Sequence, residues 1–450
     1  MVSQTADARL TPLGRFSPGL FRHLSKKLDF ALWMGVHAMP AFVRRRWQFA
    51  HIKRLMVLAY DHVPAYRMLW REAGIEPERI RTFSDFATLP VTDKQFFRKH
   101  REEEIVNDAF SPADYYMMET SGSTGEPFRF PRSASRYLER RFRPVKNVDC
   151  EMLRFLLWRG FSRHEIFDMK LAEIRINPRR GAPYCLYLPT ADLRNDPAGV
   201  LRALREFKPD VLNSRPTMLV ELARLAECLP PDERPRLRFA LSHGEELMPS
   251  QREYIRRVFG CDMHEFYGLT EVGAIGADCE AHEGLHLFEE SCFVEVVDAE
   301  GRPLPAGEVG RVVITHFYNH VLPFIRYDTG DSGIILDEPC PCGLRARRLI
   351  VRGRLGGFFT IGGKRFNYSE FQMILSGFST IVLRYQFAKV SKEAVELRII
   401  PAPAYSAEEA LRLRQAFRDT LGIEPVVKVV DNIPYTDGGK TRFIVDETAR

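Results

Sequence analysis

Between residues 199 and 268 helix-period segments alternate with short apolar runs. GVLRALREF is followed by DVLN, TMLVELARLAECL by LRFALSH, and PSQREYIRRVF by DMHEFYG. Repetition of this kind marks a parallel sheet with crossover helices, and it excludes all-helical and all-β architectures. Around residues 287 to 317 the pattern changes to two strands, FVEVVD and GRVVITHF, joined by the turn-rich AEGRPLPAGEVG. This reads as an antiparallel ribbon attached to the α/β body. A glycine-rich stretch, VRGRLGGFFTIGGKRF at 351 to 366, then separates that body from a last segment of mixed helix and strand character. The expected organisation is α/β. A large N-terminal unit of mixed sheets spans 1–354, its first 80 residues basic and helical, and a small α+β unit spans 355–450. The boundary falls between Arg354 and Gly357. A chain of 450 residues has room for this division.

Apolar residues make up 45% and charged residues 28%, which excludes wholesale disorder. The apolar stretch FALWMGVHAMPAFV at 30–43 falls short of the roughly 20 residues a membrane span needs, and reads as a buried or amphipathic helix. The opening MVSQTADARLTPLGRF has no apolar run followed by a cleavage site, so a cytoplasmic location is expected. Eight cysteines are too sparse for a disulfide framework and suit reduced thiols or metal ligands. Net charge is +6, yet residues 1–60 alone carry ten Lys and Arg against two Asp. Arg44, Arg45, Arg46, Lys53 and Arg54 share a stretch whose apolar residues recur near helical spacing. The plain expectation is a solvated basic helix face, open to an acidic carrier protein, a coenzyme pyrophosphate or a membrane surface. No nucleic-acid motif is present.

Thr120-Ser-Gly-Ser-Thr-Gly-Glu-Pro127 packs two glycines and four hydroxyls into eight residues. Backbone N–H groups and hydroxyls in such a loop can surround phosphate oxygens. It lacks the GK[ST] ending of a Walker loop, failing at Glu126, and by itself equally fits a solvated turn. Downstream, in order, come SHGEE (242–246), EFYGLTE (265–271), RYDTGD (326–331), Gly353-Arg354 followed by IGGKRF, and DGGKTR near the C-terminus. Together these motifs resemble the adenylate-forming ligase superfamily. YYMMETSGSTGEP and the CPCG before the junction are most similar to the phenylacetate-CoA ligase branch.

The resemblance implies roles residue by residue. Ser121, Gly122, Ser123, Thr124 and Gly125 would hold the β and γ phosphates of ATP. Tyr267, followed by Gly268, would stack on adenine; Thr270 would contact the α-phosphate and Glu271 would hold Mg²⁺. Asp331 would accept hydrogen bonds from the ribose hydroxyls, with Arg354 near the ribose and the hinge. Ser242, His243 and Gly244 would line the adenine and acyl pockets. Lys440 would bridge substrate carboxylate and α-phosphate, carried in and out by a mobile C-terminal unit. Taken singly, Tyr267 also fits a core aromatic, Glu271 a helix cap and Asp331 a turn. Where the family has a hinge Asp or Lys two residues beyond Gly-Arg, this chain has Gly356, followed by Gly357. Tyr137 and Phe142 are candidates for an aryl-acid pocket and fit a core equally well.

Cys340-Pro-Cys342-Gly pairs two thiolates, and Cys279 and His286 stand seven apart in CEAHEGLH. Four soft ligands in two clusters fit a closed, structural Zn²⁺ site, with His282 as an alternative to His286 and unligated thiols as the other reading. Some phenylacetate-CoA ligase relatives carry such a site. The function expected is ATP- and Mg²⁺-dependent activation of a carboxylic acid, aromatic by resemblance, to an acyl-adenylate, then transfer to coenzyme A. Delivery to a carrier-protein thiol or an amine is the alternative, and a nucleotide-binding scaffold without catalysis is a third. A homodimer is compatible with all three.

Overall fold

The computed structural model describes residues 35–36, 39–120, 128–133, 165, 168–175, 185–354, 358–435 and 441–448. Ser121 to Gly125, Tyr137, Phe142, Gly356, Gly357 and Lys440 lie outside the described residues, so the expectations placed on them do too. The alternating segment folds as its periodicity predicts. Strands β3 (Leu171–Arg175), β4 (Cys185–Pro189), β5 (Val211–Ser214), β6 (Phe239–His243) and β7 (Asp262–Leu269) pair in parallel in the order β4-β3-β5-β6-β7. Helices α4 (Pro197–Phe207), α5 (Pro216–Glu227) and α6 (Pro249–Phe259) make the crossovers. Each begins with proline at its first position, where the missing N–H removes no helical bond. Asp196 caps α4 through its carboxylate, and Gly260 ends α6 in the left-handed region.

At β7 the sheet changes sense. β8 (Gly273–Ala277), β9 (Leu285–Leu287), β13 (Arg348–Arg354), β12 (Tyr327–Leu336), β11 (Gly310–His316) and β10 (Cys292–Val297) follow outward, all antiparallel. The expected ribbon, β10–β11, is therefore the far edge of one continuous sheet of eleven strands among the described residues. Two strands, β1 (Tyr115–Glu119) and β2 (Arg129–Ser133), form a separate hairpin flanking the expected phosphate loop.

Helices α1 (Ala41–His62) and α2 (Pro64–Glu72) pack on the antiparallel half through Ile52, Met56, Tyr66 and Trp70. Of the apolar stretch at 30–43, residues 30–34 and 37–38 lie outside the described residues; α1 begins at Ala41, with Pro40 at its N-cap. The basic face of α1 departs from expectation at Arg44 and Lys53. Arg44 is buried against Glu289 at 2.8 Å, and its Nη2 donates to Arg345 O at 3.0 Å. Arg45 lies 4.3 Å from the Phe83 ring centroid, and Lys53 donates to Pro77 O. Arg45, Arg46 and Arg54 remain exposed. A guanidinium facing a carboxylate far along the chain cannot be told from a solvated one by helical spacing alone.

Beyond residue 357 come β14 (Phe358–Ile361), β15 (Lys364–Asn367), α7 (Tyr368–Ser376), β16 (Val382–Lys389), β17 (Val395–Pro401), α8 (Ala407–Leu421), β18 (Val426–Val429) and β19 (Ile444–Asp446). Four of these strands form a sheet in the order β18-β17-β16-β19. Its own core contains Phe371, Phe387, Leu397, Leu413 and Phe417. Leu383, Ile400, Ala402 and Ile433 join the core of α4 to α6 instead. The docking is finished by Gln251 on α6, whose Nε2 donates to Leu383 O at 2.8 Å, and by Ser250, which donates to Val382 O. No described helix is long and apolar enough to cross a membrane.

Candidate active site

Ligands of open α/β sheets sit beyond the C-terminal ends of the strands, where strand order or sense changes. Here that place is the end of β6 and β7, and a cavity of about 1740 Å³ opens there against the C-terminal sheet. Gly244, Glu245, Glu246, Tyr267, Asp331 and Arg354 line it. Tyr267 ends up half-buried in the wall, with Oη donating to Asp331 Oδ2 at 2.7 Å. Arg354 Nε lies 3.3 Å from the other oxygen, Asp331 Oδ1. Asp331 and Arg354 face each other because β12 and β13 are paired in that register. Burial pushes the Asp331 carboxyl up, while Arg354 and the Tyr267 hydroxyl pull it back. Burial also holds Tyr267 well above the ordinary tyrosine value, Asp331 adding to the effect, so the phenol stays a donor. A carboxylate has about four acceptor sites, so two remain for a vicinal diol.

Two glycines make this packing possible. A Cβ on Gly268 would lie 2.4 Å from Gly273 O across the β7–β8 pair. One on Gly353, whose φ is +92°, would lie 2.1 Å from Gln372 Oε1.

Ser242 is fully buried, its Oγ 3.4 Å from His264 O, which places it in the sheet rather than in the cavity. His243 Nδ1 pairs with Asn213 Oδ1 at 3.0 Å. Burial brings its pKa down to about 4, with Arg215 and Arg175 adding, so the ring is neutral at pH 7. Thr270 is exposed and Glu271 buried. Glu271 Oε1 accepts from Tyr327 Oη at 3.1 Å and lies 3.0 Å from Lys94 Nζ. The ammonium of Lys94 balances the charge of this buried carboxylate.

Lys94 was not apparent from sequence. It opens the short helix α3 (Lys94–Arg98), N-capped by Asp93, and TDKQFF reads as nothing more than a helix start. The bridge from Thr92 to Tyr327 brings it to Glu271. Glu245 was also missed: it accepts from Thr217 Oγ1 at 2.6 Å and from Thr441 N at 3.4 Å, beside the segment that carries Lys440. Glu246 accepts from Gln372 Nε2 at 2.9 Å.

The four expected zinc ligands converge. Cys279 Sγ is 3.5 Å from Cys340 Sγ, and Cys342 Sγ is 3.3 Å from His286 Nε2; all four ligand atoms lie within 4.8 Å of one another. A disulfide would need about 2.05 Å. Tetrahedral bonds of about 2.3 Å to sulfur and 2.0 Å to nitrogen would set ligand atoms roughly 3.5–3.8 Å apart, so the donor set fits zinc. His282 points elsewhere, to Asp278 and Asp262, which leaves His286 as the imidazole ligand.

Comparison with known proteins agrees with this geometry. The curated relatives include the phenylacetate-coenzyme A ligase of Thermus thermophilus, 24% identical over 91% of this chain and 98% of its own, and that of Escherichia coli, 25% identical over 89% and 92%. Among solved structures, a 2-hydroxyisobutyryl-CoA ligase in the postadenylation state matches with a TM-score of 0.74 at 22% identity, covering 92% of each chain. The model of the AMP-binding enzyme family matches residues 48–318, and the chain belongs to that family.

Proposed function

We propose that this protein is an AMP-forming acid–CoA ligase: it activates a carboxylic acid as the acyl-adenylate, releasing pyrophosphate, and passes the acyl group to coenzyme A. The observation that carries the reading is the Tyr267–Asp331–Arg354 triangle at the seam of the sheet, one wall of a cavity whose other wall is the C-terminal sheet. A ring held by its hydroxyl offers a face for adenine, and the carboxylate it holds offers acceptors for the ribose. The acid's oxygen attacks the α-phosphorus in line with the leaving pyrophosphate, so charge must be balanced around that phosphorus. Ser121, Gly122, Ser123, Thr124 and Gly125 hold the outer phosphates in this scheme, Thr270 meets the α-phosphate, and Lys440 bridges the two reacting anions. Glu271 would hold Mg²⁺, which when bound neutralises phosphate charge. Residues 355–450 form the mobile unit, pivoting at Gly356 and Gly357.

The acid is proposed to be aromatic, in keeping with the phenylacetate-CoA ligase likeness. Coenzyme A is proposed as the acceptor in keeping with the phenylacetate-coenzyme A ligase likeness, and Arg44 and Lys53 of the basic helix are engaged within the fold. The cytoplasm suits the free thiols.

ATP–pyrophosphate exchange is expected to require both an added acid and Mg²⁺, across a panel of aryl and alkyl acids. Exchange without acid, or none with any acid, would reject the ligase reading. Coenzyme A, an amine and a carrier protein, offered in turn to the adenylate, identify the acceptor.

Zinc at Cys279, His286, Cys340 and Cys342 would pin the loop before β9 to the loop before β13. Cys342→Ser is expected to lower metal content and melting temperature together, because an incomplete site loses most of its binding free energy. Wild-type protein purified without chelator and found metal-free would refute it.

A further inference from the structure

The expected phosphate loop carries no cation of its own. Thr120-Ser-Gly-Ser-Thr-Gly-Glu-Pro127 offers hydroxyls and glycines, and its one charged residue is the acidic Glu126. Backbone N–H groups and hydroxyls can cradle phosphate oxygens, yet they set no full charge against the β and γ phosphates, where most of the charge of ATP resides. A cation from elsewhere in the fold has to face them. The two arginines that follow the loop on β2 have other partners. Arg129 pairs with Glu119 at 3.2 Å on an exposed surface, and Arg132 Nη1 lies 3.5 Å from Thr270 O.

The residues that flank the loop lead to a lysine. Thr120 N donates to Phe128 O at 3.0 Å, and Phe128 N donates to Thr120 Oγ1 at 3.1 Å, so the two flanks are tied together. Phe128 is buried, with its ring centroid 6.1 Å from that of Phe97, and Phe97 lies 6.0 Å from the Tyr327 ring. Phe97 stands three residues after Lys94 on α3, which puts the two on neighbouring parts of one helix face. The segment that carries Lys94 is thus wedged between the flank of the phosphate loop and the strand that carries RYDTGD.

From there Lys94 reaches the residues assigned to the nucleotide. Its Nζ is 3.0 Å from Glu271 Oε1, and its charge extends to Asp331, where it opposes the upward push of burial on that carboxyl. The pair is open on one side only: the Glu271 side chain is 2% exposed and that of Lys94 is 28% exposed. An ammonium has three N–H donors. Among the described residues Glu271 is its one partner, which leaves donors for a further anion. Glu271 has room as well, since a carboxylate with about four acceptor sites can serve Tyr327, Lys94 and a metal ion together.

We infer that Lys94 binds the outer phosphates of ATP, with Glu271 holding its ammonium in position. The inference rests on the ligase reading and adds to it the charge that the phosphate loop lacks.

The test is nucleotide binding by the full chain, without acid so that nothing turns over, in buffer containing Mg²⁺. ATP and AMP are titrated calorimetrically into wild type and Lys94→Gln. Glutamine can still donate to Glu271, so the variant removes the charge and keeps a partner for the carboxylate. Lys94→Gln is expected to bind ATP about 10- to 100-fold more weakly, the usual worth of hydrogen bonds to a charged group, and to bind AMP as wild type does, with unchanged circular dichroism. A lysine that serves only to neutralise Glu271 would not separate the two nucleotides. Unchanged ATP binding in folded Lys94→Gln, or ATP and AMP weakened alike, would overturn the inference and leave the ligase reading in place. Wild-type protein that binds neither nucleotide would overturn both. Should Lys94→Gln fail to fold, the wild type decides: ATP should protect Lys94 from acetylation by an amine-specific reagent, as mapped by mass spectrometry, and AMP should not. Equal labelling of Lys94 with either nucleotide would overturn the inference.

Discussion

Lys440→Ala is expected to lower acid-dependent adenylate formation by about 10²–10³, the usual worth of a preorganised charge contact in a transition state. Supplied with preformed acyl-adenylate, the same variant is expected to thioesterify coenzyme A at near the wild-type rate, because the C-terminal unit would by then have carried the lysine away. Thr441, the residue after it, and Tyr435 before it are already tied to the large unit, through Glu245 and Thr217 O at 3.4 and 3.2 Å. Replacing Gly356 or Gly357 with proline should do the reverse, sparing adenylation and slowing transfer. Equal loss of both steps in folded Lys440→Ala protein would rule out the two-position scheme.

The largest expected effect on stability lies at Arg326, the first residue of RYDTGD. Its guanidinium is 1% exposed, pairs with Glu295 at 3.2 Å through both Nε and Nη2, and donates to Ala87 O, Leu89 O and Gly301 O. Arg326→Met would leave a buried carboxylate and three carbonyls without their donor. Removing one partner of a buried pair costs about 3–5 kcal/mol, so chemical denaturation should show a loss of that order. Arg326→Met combined with Glu295→Leu should recover part of it, not all, since the carbonyls remain. A loss below about 1 kcal/mol would mean that water replaces the guanidinium. Arg326 also adopts a φ of +45°, which its five donors help to hold.

These two residues mark what a sequence yields and what it withholds. The parallel half was legible because Pro197, Pro216 and Pro249 each announce a helix after an apolar run, and a period of 3.6 needs only local residues. Asp331 and Arg354 were legible as motif members, and the cysteine cluster as two short ligand spacings. What could not be read was pairing at a distance. Glu295 is nowhere near RYDTGD in the chain, Glu289 nowhere near Arg44, and Lys94 reaches Glu271 only because Thr92 bridges Tyr327. The choice between His282 and His286 was open in sequence; in the fold, the left-handed turn at His282 sends that ring to the aspartates while β9 presents His286 to the thiols. Ser242, expected at the pocket, is inside the sheet because alternate residues of a strand face opposite ways.

Gln251 and Ser250 grip the C-terminal sheet by the main-chain oxygens of Leu383 and Val382. Such a handhold is blind to side-chain identity: β16 can exchange residues without weakening it, so long as size and polarity suit the core. It is sensitive to register, because one inserted or deleted residue before Val382 would present the wrong oxygens and turn every side chain of the strand to the opposite face. Drift by substitution should therefore be common along this strand and drift by length rare, whereas Gln251 itself, the partner without a backbone substitute, should resist both.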